Sequence, residues 1–254
     1  MSAGGDAAGA TADRNERRLR SGQRAVAHWT GFPAAAKPRP LVLLGHSGIR
    51  VDAGFATGDA KIAFIHGAID ADAGVPEEPL RLVRSARARA TRPRRVTLRV
   101  TAATLMEAEF ATDRGSQRLP AWRLEAVDAP GAIWVLAERA RALCWSPPEA
   151  PEGEPIGPHL LRSAIVGPDG RELTVEFVGG SESLFRYEAE PVESAVAVSV
   201  VPMERRTGRL PPGRAITLEG HRREVRVTLA KPLGGRVLVN LDGRPVLVRS
   251  DGEL

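Results

Sequence analysis

The sequence has one cysteine, few aromatic residues and no long hydrophobic segment. Cys144 has no partner for an intrachain disulfide, so non-covalent contacts must hold the fold, and a reducing compartment suits the chain. No segment approaches the roughly 18 apolar residues of a membrane-spanning helix, so we expect no transmembrane segment. The first twelve residues lack the apolar core of a secretory signal. We therefore predict a cytoplasmic protein, with an exported protein that has lost its signal as the alternative.

Lysine is also scarce, since it occurs only at positions 37, 61 and 231, whereas arginine is abundant. Lys and Arg together number 36 against 31 Asp and Glu, which gives a formal net charge of +5. The guanidinium group stays protonated to high pH, and this raises the sequence pI to about 10.2. A composition with 43% hydrophobic and 26% charged residues is that of a globular protein and excludes collagen-like, coiled-coil and wholly disordered chains.

The N-terminal region divides into a tail and a helix. Residues 1–13 are rich in Gly and Ala with little to bury, and we predict a disordered tail. Residues 15–29 place Leu19, Val26 and Trp29 on one helical face with arginines around them, which predicts one short amphipathic helix. We assign this helix to a first domain, residues 14–145.

The rest of this first domain shows the alternation of an antiparallel β meander. Apolar and polar residues alternate with a period of two, and turn residues interrupt the pattern repeatedly. The predicted strands are 40–44, 61–69, 96–100 continuing to 110, 119–127 and 133–137.

A proline-rich linker separates this region from a second domain. Residues 146–158 contain five prolines, which fix φ and lack the N–H donor that a strand requires. Residues 159–254 then form a predicted β-sandwich-like domain, with a hairpin turn at 167–171. Its predicted strands are 159–166, 172–178, 185–189, 192–201, 215–218, 224–230, 236–241 and 245–249. The predicted fold class is therefore mainly β (β-rich α+β), with two antiparallel β domains.

Five groups of residues carry a resemblance to a known family. They are GDAKIAF (58–64) followed by Gly67, TDRG (112–115) with LPAW (119–122), PDGRELTV (168–175), Tyr187 with VES (192–194), and VRVTL (225–229) with PLG (232–234). In this order they resemble uncharacterised actinobacterial proteins, many of which are exported or lipid-anchored. The family has no assigned activity. Its members often carry cysteines near positions 181–185 and 215–218, which looks like a disulfide, and this chain has none there.

One motif points to a hydrolase. The apolar run 41–44 leads into Gly45-His46-Ser47-Gly48, which is similar to the nucleophile elbow of α/β-hydrolases. The second glycine comes one residue early, because Ile49 stands where the motif needs it, and a plain β-turn is the alternative interpretation. The catalytic candidates are Ser47, His46 and His66, and we expect His66 to lie within a strand.

An arginine-rich segment at 81–95 points to anion binding instead. It contains no acidic residue, and such a segment neutralises phosphates on nucleic acid or a membrane surface. The candidate residues are Arg84, Arg87, Arg89, Arg92, Arg94 and Arg95. The alternative is a solvated loop between two strands, because the segment has no aromatic residues on which bases stack.

Other residues give no pattern of a catalytic or metal site. The five histidines show no i, i+4 pairing, and the Gly-Gly pairs at 179 and 234 lack the lysine of a phosphate-binding loop, so we predict no metal and no cofactor. Glu188, Glu190 and Glu193 form an acidic patch without an assigned role. We therefore predict a non-catalytic binding or structural protein, whose partner is a protein or an anionic polymer. A hydrolase and a nucleic-acid-binding protein are the alternatives.

Overall fold

The computed structural model describes residues 5–45, 48–87, 96–147, 161–208 and 220–251. The helices are α1 (Gly5–Ala27), α2 (Gly58–Ile65), α3 (Glu77–Arg87) and α4 (Glu138–Arg141). The strands are β1 (Ile49–Val51), β2 (Ile69–Ala71), β3 (Leu98–Thr112), β4 (Gly115–Ala126), β5 (Ala129–Leu136), β6 (Leu161–Val166), β7 (Glu172–Gly179), β8 (Phe185–Glu193), β9 (Ala197–Arg206), β10 (His221–Thr228), β11 (Val237–Val239) and β12 (Leu247–Ser250).

The predicted mainly-β fold class is confirmed. The strands form three sheets, in the orders β1-β5-β4-β3-β2, β10-β7-β6-β12 and β11-β9-β8. Most neighbours are antiparallel as predicted, but β2 with β3, β6 with β12 and β9 with β11 are parallel pairs. None of the helices in the described ranges combines the length and the apolar character that crossing a membrane requires.

The described residues form two compact units that correct the predicted domain division. Unit 1 draws on Met1–Leu44, Asp113–Gly115 and Ser146–Leu254, and unit 2 on Gly45–Thr112 and Ser116–Trp145. The chain returns to unit 1 at Ser146, where the linker was predicted. The N-terminal helix, however, belongs with the C-terminal sheets and not with residues 45–145. Positions 148–158 of the predicted linker lie outside the described residues.

Unit 1 is built in three layers. The four-stranded sheet turns Leu173, Val175 and Phe177 of β7 towards Val198 and Val200 of β9, and this apolar core lies between the two sheets. Strand β9 is buried along most of its length, because α1 covers its other face. The sandwich predicted for the C-terminal region is therefore completed by a helix from the N-terminus.

Helix α1 comes close to β9 because a glycine faces the sheet. A Cβ atom at Gly22 would lie 2.8 Å from Cγ2 of Val201. The Arg18 Nη2 donates to Oε2 of Glu204 at 3.1 Å, and both side chains are buried. The helix begins at Gly5, ten residues before its predicted start, and this corrects the predicted disordered tail, in which alanine favours helix.

Unit 2 is a five-stranded sheet with two helices packed on it. Phe64 of α2 and Val83 of α3 share a core with Val100 of β3 and Val135 of β5. The strand predicted at 61–69 is wrong, since α2 occupies most of this segment. The Thr57 side chain caps that helix by accepting from the Ala60 N–H at 3.1 Å. The N-cap therefore favours a helix in this segment, although its apolar and polar residues alternate as in a strand.

Several other boundaries can be compared with the prediction. The hairpin at 167–171 joins antiparallel β6 and β7 as predicted, and long strands cover 98–112 and 115–126. The strand predicted at 40–44 is reduced to bridge residues at 41 and 43. The strand predicted at 215–218 lies outside the described residues.

The buried Arg18–Glu204 pair gives a stability prediction. Glu204→Gln leaves the Arg18 guanidinium buried without a counter-charge, so we expect the free energy of unfolding to fall by about 3 kcal/mol. Replacing both residues by methionine restores most of this loss, because the desolvation cost disappears with the charges. Urea denaturation measures both effects.

The matched control is Arg20→Ala, which breaks an exposed pair with Glu16 on the same helix. Exposed pairs contribute little, so this variant changes the unfolding free energy by less than about 1 kcal/mol. Equal losses in Glu204→Gln and Arg20→Ala would show that the buried pair does not hold α1 on the sheet.

Candidate functional site

Unit 1 contains a groove of about 520 Å³ whose walls come from three segments of the chain. One wall is the loop 230–236 between β10 and β11, the second is the turn 193–195 between β8 and β9, and the third is residues 34–35. The lining is mostly apolar. The charged side chains in it are Glu193, Lys231 and Arg236. Few polar groups among apolar ones, in a groove of this size, are typical of small-ligand sites.

The predicted hairpin turn at 167–171 supports the loop 230–236. The Leu233 N–H donates to the carbonyl of Gly170 at 2.7 Å, and the Leu229 N–H donates to the carbonyl of Arg171 at 2.9 Å. The Leu233 side chain is buried in the core of the sandwich. The loop is therefore anchored both by backbone hydrogen bonds and by an apolar side chain.

A glycine brings this loop close to the segment that precedes unit 2. A Cβ atom at Gly235 would lie 2.1 Å from the backbone oxygen of Ala34, so no other residue fits without moving the backbone. The Gly235 carbonyl accepts from Nε of Arg39 at 2.7 Å. The neighbouring Gly234 has a φ of +50°, which also favours glycine.

Two arginines bind backbone carbonyls of the loop 230–236, and a buried carboxylate lies beside these arginines. Arg39 binds Asp113 with both Nη atoms, at 3.2 and 2.5 Å, and the Asp113 side chain is 1% exposed. The Nη2 of Arg114 donates to the carbonyls of residues 234 and 236, at 2.9 and 2.7 Å. Burial lowers the pKa of Arg114, and Asp113 opposes that shift.

Arg236 joins the loop to the turn between β8 and β9. Its Nη1 donates to Oε2 of Glu193 at 2.6 Å and to the Ser194 carbonyl at 3.3 Å. Its Nη2 donates to the carbonyls of Lys231 and Pro232, at 2.5 and 3.0 Å. The side chain is 8% exposed, and its Nε has no hydrogen-bond partner among the described residues. One donor of a buried guanidinium therefore remains to be satisfied.

Glu193 stays ionised in this setting. Burial alone raises its pKa, but the Ala230 N–H and the Arg236 guanidinium outweigh burial, and the pKa lies below its usual value. The Ala230 N–H donates to Oε1 at 2.7 Å. The Glu193 carboxylate thus binds both the start of the loop, at Ala230, and the Arg236 guanidinium.

The loop also carries backbone donors without acceptors. Among the described residues, no protein atom accepts from the N–H groups of Gly234 and Gly235, although both carbonyls are bound. The charges around the loop are four cations against two carboxylates, an excess of two positive charges. They are Arg39, Arg114, Lys231 and Arg236 against Asp113 and Glu193.

The one hydroxyl in the groove is engaged in a turn. The Ser194 Oγ accepts from the N–H groups of Val196 and Ala197, at 3.2 and 3.0 Å, and donates to the Ala197 carbonyl at 3.2 Å. A hydroxyl in this arrangement closes a local turn and is not poised as a nucleophile.

Of the catalytic candidates named from the sequence, only His66 is among the described residues. His46 and Ser47 lie outside the described residues. The prediction that His66 lies in a strand is wrong. His66 caps the C-terminus of α2, where its N–H donates to the carbonyl of Ile62 at 3.1 Å. The hydrolase hypothesis therefore stays a prediction.

The anion-binding candidates are described only in part. Arg84 pairs with Glu77 at 2.6 Å and Arg87 lies 5.0 Å from the centre of the Phe64 ring, so both make contacts within unit 2. Both residues belong to α3, so a helix takes the place of the predicted loop in the N-terminal part of the segment 81–95. The remaining candidates, Arg89, Arg92, Arg94 and Arg95, lie outside the described residues.

No protein-family model, curated protein or solved structure matches this chain. Within the described ranges, no three His, Cys, Asp or Glu side chains are grouped so that they could hold a metal ion.

Arg236, the central residue of this groove, does not stand out in the sequence. In the sequence, Glu193 belongs to an acidic patch, and the Gly-Gly pair at 234 lacks the lysine of a phosphate-binding loop. Arg236 was one arginine among many. The one available signal was the pair of glycines beside an arginine, since adjacent glycines allow a close approach of the backbone.

We predict that Gly235→Ala disrupts the groove. The added methyl group meets a backbone oxygen that cannot move cheaply, so the free energy of unfolding falls by about 2 kcal/mol. Thermal and urea denaturation measure the loss. The matched control is Gly31→Ala, where a Cβ atom meets nothing within 4 Å, and this variant keeps the wild-type stability. A Gly235→Ala variant as stable as this control would contradict the close packing.

We also predict a pH-dependent contribution from Glu193. Because its folded-state pKa is lowered, its stabilisation is present above its unfolded pKa of about 4.3 and is lost as the pH falls through the folded value. Glu193→Gln therefore lowers the unfolding free energy by about 2 kcal/mol at pH 7, and the difference from wild type shrinks below about pH 4. Denaturation curves across this pH range measure the difference. The exposed Glu190 on the same strand provides the control at pH 7, where Glu190→Gln has little effect.

Proposed function

We propose that this protein is a non-catalytic binding protein and that the groove of unit 1 is its ligand-binding site. The observation that carries the proposal is the state of the loop 230–236. Its carbonyls are held by Arg39, Arg114 and Arg236, while the backbone N–H groups at 234 and 235 have no acceptor among the described residues. Donors held in fixed positions beside an apolar lining are what a ligand site needs.

The rigidity of the loop supports binding because it reduces the cost of association. Ordering a mobile loop on a ligand consumes part of the interaction free energy. Here the loop is fixed by three hydrogen-bonded partners, the Gly170 carbonyl, the Arg39 guanidinium and the Glu193 carboxylate. A ligand therefore meets donors that already hold their positions.

The same contacts argue against catalysis at this place. A general base needs a pKa near the working pH, whereas the pKa of Glu193 is lowered and its oxygens are bound. The Ser194 hydroxyl is engaged with the backbone. Within the described part of the groove, the polar groups are arranged to hold the walls and to donate hydrogen bonds.

The proposal predicts where small molecules bind. We expect a set of neutral and charged aliphatic fragments, at millimolar concentration, to shift the amide signals of residues 193–195, 230–231 and 233–236 in spectra of the ¹⁵N-labelled full chain. Ala195→Trp places a large ring on an exposed position of the lining and is expected to abolish these shifts.

The control is Ala12→Trp, on the exposed side of α1, which leaves the fragment shifts unchanged. Shifts that cluster elsewhere, that persist in Ala195→Trp, or that appear for no fragment would overturn the groove as the binding site.

A further inference from the structure

We infer that two copies of this chain associate through strand β10, which pairs antiparallel with the same strand of the second copy about a two-fold axis. In this dimer Glu224 of each copy lies opposite Arg226 of the other. Strand β10 contributes no residue to the groove lining, so the inference goes beyond the proposed binding function and does not rest on it. Two observations carry it, the open edge of β10 and the order of charges along that edge.

Strand β10 is an edge strand of the four-stranded sheet. It pairs with β7 from His221 to Thr228, and no second strand in the described ranges pairs with it. The Leu229 N–H donates to the Arg171 carbonyl at 2.9 Å in the same register, so the odd-numbered residues of β10 bond to β7. The N–H and C=O groups of the even-numbered residues therefore point to the open side. These residues are Arg222, Glu224, Arg226 and Thr228.

The open edge lacks the features that commonly prevent pairing. A proline or a row of like charges blocks a strand edge. Strand β8, the edge of the three-stranded sheet, contains Pro191, whereas β10 contains no proline. The charges on the open side of β10 also differ in sign, since Glu224 stands between Arg222 and Arg226. Such an edge pairs in a register that brings opposite charges together.

The order of charges selects the register of a symmetric pair. With Val225 at the two-fold axis, Glu224 lies opposite Arg226 of the second copy, and symmetry repeats this contact. Arg222 then lies opposite Thr228 of the second copy. A register with Glu224 or Arg226 at the axis places like charges opposite each other. Like charges destabilise a cross-strand pair, whereas opposite charges stabilise it.

One other register also pairs opposite charges, but it is shorter. With Arg223 at the axis, Glu224 lies opposite Arg222 of the second copy, and only residues 221–225 of the strand are paired. Arg222 is moreover already bound to Glu176 of β7 at 2.7 Å. This register therefore has fewer hydrogen bonds and competes with an existing ion pair.

The register centred on Val225 uses the whole open edge. It pairs residues 222–228, in which four residue pairs exchange two backbone hydrogen bonds each, or about eight in all. Glu224 and Arg226 are exposed and form no ion pair with other described residues, so both are available. Glu224 also stands directly opposite Glu176 in the ladder with β7, and a cation from the second copy offsets that repulsion.

Sedimentation equilibrium of the full chain tests the association. We expect a reversible monomer–dimer equilibrium with a dissociation constant of about 10–100 µM, because a single pair of strands is a small interface. A chain that stays monomeric up to about ten times this concentration would overturn the inference.

Amide hydrogen exchange locates the interface on the strand. The amides of Glu224 and Arg226 should exchange at least about tenfold more slowly at a concentration where the dimer dominates than at one where the monomer does. The amides of Val225 and Val227 already bond to β7, so they should be protected at both concentrations. A dimer that leaves the exchange of the 224 and 226 amides unchanged uses another surface and contradicts the inference.

Charge reversal tests the register. Glu224→Arg and Arg226→Glu each place like charges opposite each other twice, so each should weaken the dimer at least about tenfold. The double variant Glu224→Arg/Arg226→Glu restores opposite charges and should return to within about threefold of the wild-type dissociation constant. The control is Arg249→Glu, an exposed position of β12 at the opposite edge of the same sheet, which should keep wild-type association.

The double variant separates the register from a general effect of charge or of misfolding. Thermal denaturation at a concentration where all variants are monomeric should give equal melting temperatures, since the changed side chains are exposed. Single reversals that leave the dimer intact, or a double variant that does not recover, would overturn the pairing of Glu224 with Arg226. These results do not affect the groove, which the fragment experiment tests separately.

Discussion

The Arg236 guanidinium ties together two parts of unit 1 that lie 43 positions apart in the chain. It binds the carboxylate of Glu193 in the turn after β8, and it also binds carbonyls of its own loop at 231 and 232. A buried guanidinium needs a counter-charge and acceptors for its donors, so the turn and the loop must keep their relative position. This requirement keeps two of the three walls of the groove in place.

Buried pairs of an arginine and a carboxylate occur elsewhere in unit 1 as well. Arg18 is buried against Glu204 where α1 meets β9, and Arg39, which binds the Gly235 carbonyl, is paired with the buried Asp113. In each case the planar guanidinium satisfies a carboxylate and backbone carbonyls together. The high arginine content, which by composition alone suggests anionic partners, is therefore used in part to join segments of the fold. Arg236 differs from Arg18 and Arg39 because it also lines the groove.

The sequence was informative where a segment's structure depends on its own pattern. Alternation predicted the strands of the sandwich, and Asp169 with Gly170 predicted the turn, where the Asp169 carboxylate accepts from two following N–H groups. It was misleading at 61–69, where an alternating run is also a short capped helix. It also put α1 with the wrong unit, since an amphipathic helix shows that it has an apolar face but not which sheet covers that face.

The sequence was therefore sufficient to predict the mainly-β class, the hairpin at 167–171 and a change from one unit to the other near Ser146, because these follow from local periodicity and from backbone restrictions. Tertiary structure alone decided the candidate site. Glu193, Gly235 and Arg236 become one groove only when turn and loop meet, and no short-range pattern encodes a pairing between distant residues. The need to satisfy a buried charge is a property of the folded interior, where water is absent, and it selects those partners.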